Sequence, residues 1–334
     1  MKTIRDFDLE GKRVLVRCDF NVPLDLSGAI TDDFRIRQTI PTIRYAYSHK
    51  AKTILISHLG KPGGRIVEEL RLTVIQNRLE ALLGISVAKT QDCVGAEIDR
   101  QAARMAPGDI LLLENVRFHK EEEENDREFA HKLSSLGSIF INDAFGASHR
   151  SHASIAGVPM YLPSGAGLLL EKEILALNEV MGGAKKPLVV IVGGSKVETK
   201  LRFLENILKI ADWILLGNLP AQEIKQKKIR LKCEEKFVLA PDGVIYEGRD
   251  LDIGPYSLEL FKEKIREAGT IFWEGPNKKP RVSRSRRREF KRVFGKIRVY
   301  RQIRPCFDRG RSNACVFGGR EIARDRSAVN NRNK

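Results

Sequence analysis

The segment Lys185–Leu208, KKPLVVIVGGSKVETKLRFLENIL, constrains the fold of this chain more than any other. Leu188, Val189, Val190, Ile191 and Val192 form a continuous apolar run, the pattern of a parallel strand covered on both faces. Val197, Leu201, Leu204, Ile207 and Leu208 then recur at helical spacing. Between them lie Gly193, Gly194 and Ser195, small enough for backbone N–H groups to approach an anion at a helix N-terminus. Lys196 and Lys200 are four residues apart, so both ammonium groups can project from one helix face toward that anion. An ordinary strand–turn–helix with solvated lysines shows the same pattern. The spacing of glycines and lysine does not fit a Walker A loop.

Similar alternation runs through the chain. Strands are expected at Arg13–Arg17, Thr53–Ser57, Asp109–Leu113 and Ser138–Asn142, and helices at Leu72–Leu83 and Asp126–Leu136. Gly-Pro-Ser punctuation at Gly157–Gly167 precedes a helix at Leu168–Val180. From Lys185 onward strands are expected at Pro187–Val192, Trp213–Leu216, Lys236–Leu239 and Thr270–Trp273, with helices at Val197–Lys209 and Tyr256–Ala268. Strands alternating with helices mean α/β architecture, here two doubly wound parallel-sheet lobes joined by a helix, the second incomplete. The implied division is 1–158, a linking segment 159–184, a partial second lobe 185–280, and an anomalous tail 281–334. Ligands of such sheets sit at the carboxyl ends of strands.

Net charge sharpens the reading of the tail. The chain carries a formal charge of +16, which on its own suggests nucleic acid. The excess is confined to 281–334, with 15 arginines and 3 lysines against 4 acidic residues, while the preceding residues hold 41 basic and 39 acidic groups. A nucleic-acid partner for the body is therefore not expected. The tail also contains no leucine and is rich in arginine over lysine, an abrupt change at one point in the chain. It reads as translation out of frame from near Asn277–Pro280; a genuine basic arm, with SRSRRR meeting phosphates, is the alternative. Five scattered cysteines without a CxxC pair argue against a disulfide framework and a thiolate zinc site. The N-terminus has no apolar h-region and no run reaches a membrane span, so a cytoplasmic protein is expected.

Polar residues gather at the ends of the first-half strands. Arg17, Asp19 and Asn21 follow the first, and Arg35 and Arg37 are read as lying in a loop after it. His58 and Lys61 follow the second, Arg117 the third, and His149 and Arg150 the fourth. Guanidinium forks match phosphate and carboxylate oxygens in paired hydrogen bonds, so such a rim suits a small polyanion. Arg17 beside Asp19 reads as a structural ion pair, and Glu121–Glu124 as a solvated acidic loop or helix start.

These residues resemble phosphoglycerate kinase. VLVRCDFNVP, SHLGKP, LLENVRFH, INDAFGASHRSHAS and VIVGGSKVETKL match that family's motifs in order and at similar spacing. The resemblance implies reversible phosphoryl transfer from 1,3-bisphosphoglycerate to ADP, giving 3-phosphoglycerate and ATP with Mg2+, by a monomeric cytoplasmic protein. It implies that Asp19, Asn21, Arg35, His58, Arg117 and Arg150 hold 3-phosphoglycerate, with Lys61 helping where the family often has arginine. Gly193, Gly194, Lys196 and Lys200 would meet the nucleotide phosphates, and Arg35 and Lys196 would flank the phosphoryl group in transfer. Metal ligands are not assigned. The sequence departs from the family pattern at Gly217-Asn218-Leu219-Pro220, at Glu274 where asparagine is usual, and in having no GGGDT or STGGGA segment. A catalytically impaired 3-phosphoglycerate binder is therefore the alternative function.

Overall fold

The computed structural model describes residues 1–194, 197–246, 249–274, 298–301 and 319–320. The chain divides into two compact units, Met1–Lys172 and Glu173–Lys334.

The first unit is built on strands β1 (Arg13–Arg17), β2 (Lys52–Ile56), β3 (Ala88–Lys89), β4 (Ile110–Leu112), β5 (Ile139–Asn142) and β6 (Ser164–Ala166). They form one sheet in the order β3-β4-β2-β1-β5-β6, with every neighbouring pair parallel. Helices α1 (Phe34–Ser48), α2 (Thr73–Leu83), α3 (Ala96–Arg104), α4 (Lys120–Glu124) and α5 (Arg127–Ser135) join the strands. The strand pleat sends alternate side chains to opposite layers. Val14, Val16 and Leu55 enter one apolar cluster, and Leu15, Ile54 and Ile56 enter the other. Continuous apolar runs are the result, because neither face of the sheet is solvated.

Helix α6 (Leu168–Gly182) carries the chain across the boundary between the units. Its first turn is capped from a distance: buried Asp143 accepts hydrogen bonds from Leu169 N at 2.9 Å and Leu170 N at 3.2 Å through Oδ1. A Cβ at Gly167 would collide with that carboxylate, so glycine is required just before the helix.

The second unit has strands β7 (Leu188–Val192), β8 (Trp213–Leu216), β9 (Phe237–Leu239), β10 (Gly243–Tyr246), β11 (Arg249–Ile253), β12 (Thr270–Glu274), β13 (Arg298–Arg301) and β14 (Gly319–Arg320). Its main sheet runs β14-β13-β12-β7-β8-β9, parallel except for the antiparallel β13–β14 pair, and β10–β11 is a separate antiparallel hairpin. Helices α7 (Leu201–Ile207), α8 (Asn218–Lys227) and α9 (Pro255–Glu267) complete it. Leu188, Val190 and Val192 face one core cluster; Val189 and Ile191 face the other. Apart from β13 and β14, residues 281–334 lie outside those described, and so does the out-of-frame reading of them.

Two readings are corrected. Arg35 and Arg37 stand in the first turn of α1, not in a loop. Glu121–Glu124 falls in α4, where Glu122 is fully buried rather than solvated.

Asp143 generates a prediction. Burial raises its carboxyl pKa from 3.8 to about 7 despite the two amide donors, and its Oδ2 has no hydrogen-bond partner. Between those values the folded state holds a proton that the unfolded state has lost, so this contribution to stability is full below about pH 4 and is lost as pH rises through about 7. In Asp143→Asn the neutral amide keeps the Oδ1 acceptor. Urea unfolding should show a smaller loss of stability between pH 5 and about pH 8 in the variant than in the parent chain. Parallel pH profiles would refute this.

Candidate active site

The rim of the first sheet is organised around a buried cation. Arg17, the last residue of β1, is fully buried. Its Nε donates to Ser154 Oγ at 2.8 Å, one Nη donates to the carbonyl of Cys18, and the other lies 3.1 Å from His58 Nδ1. The same Nη2 is 4.0 Å from Glu122 Oε1. Arg17 therefore pairs with Glu122, and the expected Arg17–Asp19 pair is replaced by an Arg35–Asp19 pair. Glu122 is itself fixed by the Ser154 N–H at 2.8 Å and the Ser154 hydroxyl at 2.5 Å. Its pKa is lowered although burial alone would raise it, because His152, with Nδ1 3.7 Å from Oε1, then Arg17 and these donors favour the carboxylate.

The other side chains are set by their elements. Asp19 accepts from the Asn21 N–H at 3.2 Å, and Asn21 Oδ1 accepts from the Gly60 N–H at 2.9 Å, tying the turn after β1 to the turn after β2. His58 is buried with a pKa held well below 6.5, by burial first and then by Arg117, Arg17, Arg35 and Arg150. The imidazole is thus neutral at pH 7, and the arginines that act on it mark a convergence of positive charge. Lys61 is exposed. Arg37 pairs with Asp33 at 2.9 Å, away from this group.

Arg117 lies on a single 3-10 turn, Val116–Phe118, that Asn115 caps through its side chain. Its Nη1 donates to the Gly60 carbonyl at 2.9 Å, and its Nε is 3.2 Å from Glu123 Oε1 without hydrogen-bond geometry. Its Nη2 is buried with no hydrogen-bond partner. Burial and then Arg150 lower its pKa to about 10, which leaves it charged at neutral pH. A charged, buried, unpaired guanidinium donor is costly unless an anion meets it. Arg150 and His149 belong to the same charge group, since Arg150 acts on Arg117, His58 and His149.

The second unit contributes the turn after β7. Gly194 has φ of +81°, a left-handed conformation that glycine adopts without strain. Lys196 lies outside the described residues. Lys200 ends a 3-10 turn, Val197–Lys200, and is buried. Its Nζ donates to the Gly193 carbonyl and to Glu274 Oε2, the latter at 2.9 Å. Glu274 closes β12, and its own carbonyl accepts from Gly193 N at 2.7 Å. The Gly217–Pro220 departure begins α8, where buried Asn218 leaves its Nδ2 without a partner.

Glu122 and Ser154 were not singled out from sequence, the first because it sits inside a run of four glutamates. Their role generates a prediction. Glu122→Ala would leave the Arg17 guanidinium buried without a counter-charge, at a cost of about 3–5 kcal/mol. Equilibrium unfolding of the chain should register a loss of that order, against within about 0.5 kcal/mol for exposed Glu124→Ala. Equal effects would remove Glu122 from the centre of the site.

Comparison with known proteins identifies the family. The family model for phosphoglycerate kinase matches residues 4–225. The phosphoglycerate kinase of Dictyoglomus turgidum is 42% identical over 314 residues, covering 82% of this chain and 79% of the relative. That of Synechococcus elongatus is 45% identical over 311 residues, covering 80% and 77%. Among solved structures, phosphoglycerate kinase from Pyrococcus horikoshii superposes with a TM-score of 0.75 at 28% identity over 83% of this chain and 81% of that one. The Coxiella burnetii phosphoglycerate kinase gives 0.70 at 29% identity over 90% and 86%. On its motifs, its two parallel sheets and these relatives, the chain belongs to the phosphoglycerate kinase family.

Proposed function

We propose that the chain transfers a phosphoryl group reversibly between 1,3-bisphosphoglycerate and ADP. The observation that supports this best is the convergence of Arg17, Arg35, Arg117 and Arg150 on His58, with Arg117 Nη2 buried and unpaired. Such a group fits a small molecule bearing both phosphate and carboxylate oxygens. Residues 1–158 are read as the 3-phosphoglycerate-binding part, 159–184 as the link and 185–280 as the nucleotide-binding part. Asp19, Asn21, Arg35, His58, Lys61, Arg117 and Arg150 are assigned to the first ligand. Gly193, Gly194, Lys196 and Lys200 are assigned to the second.

Phosphoryl transfer needs alignment and neutralisation of charge rather than covalent help from the protein. Arg35 and Lys196 are assigned to the migrating group. Neutral His58 donates or accepts a hydrogen bond without adding charge, while Arg117 supplies a charge-assisted donor that protein groups leave open. Asp19 restrains Arg35 when no substrate is present. Water must be excluded so that the acyl phosphate is not hydrolysed, which requires the two ligand sets to meet before transfer.

Magnesium would neutralise charge on the nucleotide phosphates. The described carboxylates that meet the glycine turn do not suit it: Glu274 is paired with Lys200, and Glu223 accepts from Val197 N at 2.8 Å and from Lys227 at 2.8 Å. No described side chain is assigned as its ligand, and no step is routed through it. No helix among the described residues is long and apolar enough to cross a membrane.

Calorimetric titration of the full chain with 3-phosphoglycerate tests the first assignment. Arg117→Ala and Arg150→Ala should each weaken binding by about 1.5–3 kcal/mol, the worth of a hydrogen bond to a charged group. Unchanged affinity in both would sink the rim assignment. In a coupled assay of ATP formation, Lys196→Ala should lower turnover about a hundredfold or more. A chain that binds 3-phosphoglycerate normally but shows no transfer would instead be an impaired binder. Resequencing the coding DNA around the codons for Asn277–Arg281 decides whether 281–334 is read out of frame.

A further inference from the structure

Lys200 is the one nucleotide-site cation assigned above whose surroundings are described, and it is not waiting for a ligand. Its side chain is 4% exposed, and its ammonium already holds two acceptors, the Gly193 carbonyl and Glu274 Oε2. Glu274 is 5% exposed on its side. Two of the three ammonium donors are thus committed, and Glu274 already supplies the counter-anion of this buried cation. The backbone fixes the arrangement: Gly193 N is bound to the Glu274 carbonyl at 2.7 Å, so the glycine turn and the end of β12 move as one piece.

We propose that Glu274 is an internal competitor for the nucleotide phosphate: it occupies Lys200 in the free protein and must be displaced when the phosphate binds. This rests on the assignment of Lys200 to the nucleotide.

The pair is suited to exchange rather than to permanence. A buried ion pair recovers in attraction little more than its desolvation costs. The Glu274 pKa is raised by burial more than Lys200 lowers it, so the carboxylate is not strongly stabilised where it sits. A phosphate brings more negative charge and more acceptor oxygens to the same ammonium, and can replace the carboxylate while the Gly193 carbonyl stays bound. The consequence is a weaker nucleotide site than a neutral residue at 274 would give, and a Lys200 that is never left as a bare buried charge.

Isothermal titration of the full chain with metal-free ADP tests this. Glu274→Gln keeps the size and the acceptor but removes the charge, and Glu274→Asn shortens it as well. Both should tighten ADP binding about tenfold or more, since the phosphate then displaces a neutral amide acceptor and not a carboxylate counter-charge. Lys200→Met, made together with Glu274→Gln so that no unpaired carboxylate is buried, should weaken binding below that of the parent. If the Glu274 variants bind no better than the parent while the double variant binds worse, the competitor role is overturned and the assignment of Lys200 stands. If the double variant binds as well as Glu274→Gln, Lys200 does not meet the phosphate and both ideas fall. If neither single variant unfolds cooperatively, the pair is a strut of the sheet and the competitor role is likewise overturned.

Discussion

The first unit depends on keeping a guanidinium dry at the end of its central strand. Arg17 is fully buried where β1 stops, among Ser154, His58, the Cys18 carbonyl and Glu122. Desolvation opposes its charge, and Glu122 is the principal group that opposes desolvation. That single pairing reaches across the chain, because Glu122 also accepts from the backbone and hydroxyl of Ser154. Helix α4 and the helical turn Ala153–Gly157 are thereby fixed against the strand end. The neighbouring arginines are balanced in turn by carboxylates of their own, Arg35 by Asp19 and Arg117 by Glu123.

Much of this was legible in the sequence, for a definite reason. Strands buried on both faces must be apolar throughout, so β1, β7 and β8 announce themselves as runs such as Val14–Val16, Leu188–Val192 and Trp213–Leu216. The polar residues that follow them fall at the carboxyl ends because the chain must turn there. Helix α1 was hidden by Pro41, which lies inside it and reads as a breaker. Edge strands β3 and β6, of two and three residues, are too short to carry a period. Glu122 was hidden differently. A run of four glutamates looks like a solvated face, and nothing local shows that one of them turns inward to meet an arginine more than a hundred residues earlier in the chain. Counter-charge choice is a tertiary property.

The two proposed ligand sets solve one electrostatic problem in opposite ways. An ammonium or guanidinium buried for binding is expensive while the ligand is absent. In the first unit Arg117 keeps Nη2 unpaired, and the cost is borne by the fold through Gly60, Glu123 and the packing around the Val116–Phe118 turn. The donor is then ready, and binding need displace nothing from it. In the second unit Lys200 is satisfied by Gly193 and Glu274, so the fold carries less strain and the ligand meets more resistance.

That difference follows from what each part of the fold can tolerate. The first sheet surrounds its rim with two large apolar clusters and anchors the start of α6 through Asp143, so it can hold an unpaired donor in place. The glycine turn after β7 is tied through Gly193 to the end of β12, and Gly194 takes a left-handed conformation. An unpaired lysine there would be free to leave for water, since a long flexible side chain gives up rotamer entropy to stay buried. Pairing it with Glu274 keeps the ammonium on the turn. In the competitor role proposed for it, the same carboxylate that pairs with Lys200 sets the energetic threshold a phosphate must cross.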